Sequence, residues 1–96
     1  MNVLIEESET GLAQIWLRHL QRMGMTVRHC RTQNDAMNRL RGWDADVLIL
    51  NIMLSEGSAL AVADYASYRL PDAQIIFVTN TSFFSDGSIF SFAPNA

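Results

Sequence analysis

Three short apolar runs each end in small polar residues of the kinds that do chemistry. Glu6-Glu7-Ser8-Glu9 follows Val3-Leu4-Ile5, Asn51 follows Val47-Leu48-Ile49-Leu50, and Thr79-Asn80 follows Ile75-Ile76-Phe77-Val78. Brought to one edge, these residues combine carboxylates, an amide and a hydroxyl. Carboxylates offer hard anionic oxygens to a cation such as magnesium. A carboxylate oxygen can also act as a nucleophile, a role for which an amide oxygen is far poorer. Each group alone is a weak signal, and Glu6, Glu7 and Glu9 on their own read better as a solvated loop. Their joint placement at strand ends favours an acidic pocket.

Other reactive side chains carry less. Cys30 follows His29, but neighbours on a strand point to opposite faces, so buried packing is the expectation for Cys30. His19 reads as a helix-face histidine. A hydrolase built on Glu7 and Ser8 ranks last, because no general base is visibly placed; the reading is a non-enzyme.

The elements that must position the polar residues follow from periodicity. None of the three apolar runs alternates with polar residues, which suits strands covered on both faces of a parallel sheet. Residues from Met25 to Cys30 read as a further, weaker strand. Leu12, Ile15, Trp16, Leu20 and Met23 fall on one helical stripe, closed by Gly24. Asn34 or Asp35 is the expected cap of a second helix carrying Ala36, Met37 and Leu40, ending near Gly42. Ser58 is the expected cap of a third, ending before Pro71. Trp16 reads as core, and Trp43 as a partly exposed loop residue. The stretch from Ser82 to Ala93 reads as a short helix weakened by Gly87 and by Ser85, Ser88 and Ser91, and closed by Pro94. The alternation predicts an α/β, doubly wound parallel sheet with right-handed crossovers, whose functional edge lies at the carboxyl ends of the strands.

Composition narrows the class. The chain has 96 residues, 49% of them hydrophobic, which predicts one domain spanning residues 1–96. Its net charge of -3 argues against non-specific nucleic-acid binding. All seven Lys+Arg residues are arginine, so the chain contains no lysine. One cysteine, an N-terminus without a basic region and no apolar stretch of bilayer length point to a soluble, cytoplasmic protein.

With these residues in view, the chain resembles the receiver domains of bacterial two-component response regulators, of the chemotaxis-regulator type. Val3-Leu4-Ile5-Glu6-Glu7-Ser8-Glu9 is similar to their opening strand and acidic loop. Asp46 to Ser58, running through Asn51, is similar to their phosphorylation loop, and Ile75-Ile76-Phe77-Val78-Thr79 to the strand that ends in their switch hydroxyl. The resemblance implies a flavodoxin-like sheet of order 2-1-3-4 with the fifth strand and fifth helix missing, which ordinary element lengths would supply in ~25 residues. It also implies roles. Glu7 and Ser8 fall at the acid-pair positions, with Glu6 able to swing in, and Asn51 at the phosphoacceptor. Met53 falls where a backbone carbonyl binds metal, and Thr79 at the switch hydroxyl, though it can equally be a plain strand-end residue. The clamping lysine has no counterpart.

Replacing two carboxylates by Ser8 and Asn51 removes two charges from a magnesium site, so no cofactor is expected and magnesium binding is weak or absent. Without lysine, a transferred phosphate lacks its cation. An engineered acceptor block would explain Asn51 but neither Ser8 nor Ser55, where the family commonly has proline. Divergence into a pseudo-receiver explains all three. The expected function is phosphorylation-independent signalling by protein–protein interaction, with a histidine kinase, another regulator or an output domain as partner. The alternative is a true phosphorelay receiver with an unusual acceptor such as Ser8 and residual magnesium binding. An open fourth-strand edge and the rings between Phe83 and Phe92 are the expected homodimer surfaces.

Overall fold

The computed structural model describes residues 1–53 and 57–79. The expected helix between Ser82 and Ala93, the Phe83–Phe92 surface, Asn80 and Ser55 lie outside the described residues. Seven elements follow one another: β1 (Asn2–Glu6), α1 (Thr10–Arg22), β2 (Thr26–Cys30), α2 (Gln33–Gly42), β3 (Val47–Asn51), α3 (Ala59–Arg69) and β4 (Gln74–Val78). The strands form a four-stranded sheet in the order β2-β1-β3-β4, as the resemblance implies, and every pair is parallel, as the alternating pattern predicts. β2 and β4 are its edges among the described residues.

Apolar runs without alternation become strands buried on both faces because helices cover both sides. Leu4, Leu48, Leu50, Ile75 and Phe77 face α2 and α3, where they pack with Leu40, Val62 and Ala66. Val3, Ile5 and Val27 face α1 and pack on Ala13, with Trp16, Leu17 and Leu20 closing the layer. Cys30 is buried in the α2–α3 layer, as expected from its place on β2.

Two details of the helices differ from the sequence reading. Ala13 and Leu17, not Ile15 and Met23, complete the inward stripe of α1; Ile15 and Met23 are 66% and 60% exposed. The two stripes differ by one step of rotation, and small Ala13 lets the helix approach the sheet closely. The cap of α2 is Thr32, whose hydroxyl accepts from the Asp35 N–H at 3.2 Å, rather than Asn34 or Asp35 themselves. Thr32 is in extended geometry at the position where a side-chain oxygen reaches the third amide of the helix. Ser58 caps α3 as expected, accepting from Ala61 N–H at 3.3 Å. Gly24, at φ +89°, turns the chain out of α1 in a conformation that other residues resist. Trp43 is half-buried just after α2, with the Arg28 guanidinium 5.5 Å from its ring centre.

Candidate functional site

Parallel pairing sets the ends of β1 and β3 side by side. Glu6 lies opposite Leu50, so Glu7 and Asn51 come next along the same two strands. The ladder continues past the strand ends through Glu7 N–H to the Cys30 carbonyl at 2.9 Å and Ile52 N–H to the Val78 carbonyl at 2.9 Å. Strand alternation carries Glu6 to the face of Leu4, towards α2 and α3, and leaves Glu7 at the edge.

Asn51 is fully buried and uses both ends of its amide. Its Nδ2 donates to Glu7 Oε1 at 2.6 Å, and its Oδ1 accepts from Met53 N–H at 2.8 Å. The orientation is unique: reversing the amide would set its oxygen against a carboxylate and its NH2 against an N–H. Glu7 is 1% exposed, and its second oxygen, Oε2, accepts from Glu9 N–H at 2.9 Å. His29 Nε2 lies 2.8 Å from the Glu7 carbonyl, holding the backbone of this corner. The result is a hydrogen-bonded chain from Glu9 through Glu7 and Asn51 to Met53.

Three of the sequence-selected residues thus meet directly: Glu7, Asn51 and, through its N–H, Met53. Ser8 takes another direction. Its hydroxyl is 3.5 Å from the Arg31 carbonyl, and Arg31 Nε donates to the Ser8 carbonyl at 3.3 Å, tying the loop after β1 to the loop after β2. Thr79 is half-buried and directly follows Val78, whose carbonyl holds Ile52. Glu9 is exposed.

Glu6 departs most from its expected place in an acidic loop. It is the last residue of β1, fully buried, and neither carboxyl oxygen has a hydrogen-bond partner among the described residues. Burial pushes its pKa from 4.5 up to about 8, so it is mainly protonated at neutral pH. A neutral carboxyl locked in the sheet does not swing towards Glu7.

Sequence reasoning missed Gln33, which holds the far side of this edge. Gln33 Oε1 accepts from Ser58 N–H at 2.8 Å, tying α2 to the entrance of α3. Gly57, at φ +82°, lies so close that a Cβ there would run into the Gln33 side chain. The glycine before the Ser58 cap was the available signal, but it does not say which residue packs against it.

Magnesium takes an octahedral set of hard oxygens, with carboxylates foremost. Here both Glu7 oxygens already accept N–H groups, and the Asn51 NH2 points its positive hydrogens at the same carboxylate. Glu6 is neutral in the core and Ser8 is turned to Arg31. This donor set does not fit the ion. Among the described residues no group of three or more His, Cys, Asp and Glu stands where it would hold a metal.

No protein-family model matches the sequence, and no curated protein matches it significantly. Solved structures do match. A response regulator from Burkholderia pseudomallei, determined with a phosphorylated aspartic acid, calcium ion and citrate, superposes with a TM-score of 0.78 at 23% identity over 81% of this chain. The chain spans about half of that protein, 46% of its length. Response regulator TrrA from Thermotoga maritima, in complex with Mg2+ and BeF, gives 0.75 at 24% identity, covering 93% of this chain and 78% of its own. The N-terminal domain of a response regulator/sensory box/GGDEF protein from Carboxydothermus hydrogenoformans gives 0.73 at 26%, covering 82% and 64%. The fold is that of response-regulator receiver domains: a flavodoxin-like parallel sheet, here with four strands and three helices among the described residues. Among those residues no helix is long and apolar enough to cross a membrane.

Proposed function

We propose that this chain is a receiver-type signalling module of two-component pathways that works through its surface and does not take up a phosphoryl group. The carrying observation is the Asn51 amide, fully buried and bonded at both ends to Glu7 and Met53 N–H. An aspartate at this position would set a second carboxylate against Glu7, and such a pair calls for a cation or a proton. The amide NH2 and the Glu9 N–H instead satisfy the two carboxylate oxygens, and no ion is required. Magnesium binding is accordingly weak or absent, and the Asn51 amide oxygen is a poor nucleophile for acyl-phosphate formation.

The partner is a protein: a histidine kinase, another regulator or an output domain. The adjacent apolar side chains of Ile52 and Met53, exposed beside the pocket, support this role. Incubation with magnesium and acetyl phosphate, followed by intact-mass measurement, tests the reading. The mass is expected to stay unchanged. A stable gain of one phosphate, on Ser8 or elsewhere, would overturn it in favour of a relay receiver with an unusual acceptor.

A further inference from the structure

One helix stripe takes no part in the Glu7–Asn51 chain. Asp35, Asn38, Arg39, Gly42 and Trp43 recur at helical spacing along α2 and just beyond it, and together they face the end of edge strand β2. Between stripe and strand lies a cleft of about 540 Å³, with Cys30 in its floor. The volume falls in the range that holds small organic ligands.

Its charges are set apart rather than paired. Asp35 and Arg39 are one turn apart, the spacing at which opposite charges commonly join. They form no ion pair with each other, the ion pair among the described residues being Arg69–Asp44. The Asp35 and Arg39 side chains are both exposed and line the cleft. Burial pushes the Cys30 thiol up to about 11, so the floor is neutral and inert rather than nucleophilic. The Trp43 ring is a fixed wall, packed on the α2–α3 core and held near Arg28. Gly42 also lines the cleft, and a Cβ built there meets nothing within 4 Å.

We propose that this cleft binds a small zwitterion of amino-acid type, its carboxylate on Arg39 and Asn38, its ammonium on Asp35 and an aromatic side chain against Trp43. Asp35 and Arg39 line the same space, with His29 beside them and Arg28 near the Trp43 ring, so a ligand with a single charge leaves Asp35 or Arg39 without a partner. A polyanion would meet Asp35 head-on, and a polycation would meet Arg39. The indole adds a preference for a planar side chain.

The test is a 1H–15N titration of the full chain with L-phenylalanine, beside 3-phenylpropionate, which lacks the ammonium, and phenethylamine, which lacks the carboxylate. L-phenylalanine is expected to shift amides between His29 and Trp43 saturably, with a dissociation constant on the order of 1 mM, as an open cleft gives a ligand of this size. The two analogues should bind about tenfold more weakly. Arg39→Gln and Asp35→Asn, both at exposed positions, should each weaken L-phenylalanine by a similar factor. Gly42→Leu should abolish binding by filling the cleft, at an ordinary backbone conformation and with a better helix former than glycine. Spectra of the free variants show whether each remains folded. The proposal is overturned by the absence of a saturable response up to roughly 20 mM. It is equally overturned by analogues that bind as well as L-phenylalanine, or by folded variants that bind it unchanged.

Discussion

Glu6→Gln should make the domain more stable at pH 8.5 and have much less effect at pH 4.5. Glu6 is fully buried at the end of β1, opposite Cys30 and Leu50, with both carboxyl oxygens unpartnered. Below pH 4.5 the carboxyl is neutral in both folded and unfolded chains and costs the same at every pH. Between 4.5 and about 8 the unfolded chain loses the proton while the folded chain keeps it, so stability falls as pH rises. Above about 8 both states are ionised and the loss levels off. At about 1.4 kcal/mol per pH unit the full loss is about 5 kcal/mol. Water entry and relaxation of the strand end trim this to roughly 2–4 kcal/mol. Glutamine keeps the shape and does not titrate. Urea unfolding of both proteins across this range should therefore give curves that diverge steadily with pH, the variant gaining roughly 2–4 kcal/mol by pH 8.5 relative to its difference at pH 4.5. Parallel curves would refute the burial of a protonated Glu6.

Asn51→Asp should set two carboxylates together beside Glu7 and lower stability by about 1–3 kcal/mol in chelator, with much of the loss regained in millimolar magnesium; melting with and without the ion measures it. Gly57→Ala should cost about 1–3 kcal/mol, since a Cβ there meets both a left-handed φ and the Gln33 side chain, and chemical denaturation reads the loss. Thr32→Ala should remove the cap of α2 at about 1 kcal/mol, a fall of about 4–8 °C in Tm by calorimetry. Thiol labelling of Cys30 in the native state should be slow and should accelerate only on unfolding, because the group is buried and its thiolate is disfavoured.

The strands are readable because apolar runs without alternation have few homes other than a covered parallel sheet, their order follows from the resemblance, and the turns of α1 and α3 carry clear signals in Gly24 and Ser58. The α1 stripe was off by one step of rotation, because Ile15 and Met23 look more apolar than Ala13, yet only a small residue fits the close approach to the sheet. Asn51 and Glu7 are placed at strand ends by the pattern, and at adjacent ones by the strand order that the resemblance implies. Their hydrogen bond could not, since it depends on the register of β1 against β3 and on which face each strand end presents. Glu6 shows the same gap. Three neighbouring glutamates are alike in sequence, and a difference of one residue in strand length decides which becomes a neutral core group and which stays at the edge. The α2 cleft was hidden because its charges read as an ordinary solvated helix face until β2 is set beside them.

The central claim is that Asn51 closes the pocket from within, and its own side-chain amide is the most direct witness. In 1H–15N spectra the Asn51 NH2 pair should exchange slowly with solvent and stay unmoved as magnesium and then acetyl phosphate are added, because both Glu7 oxygens and both ends of the amide are already engaged. Saturable movement of that pair with magnesium, or a new species with acetyl phosphate, would contradict the account.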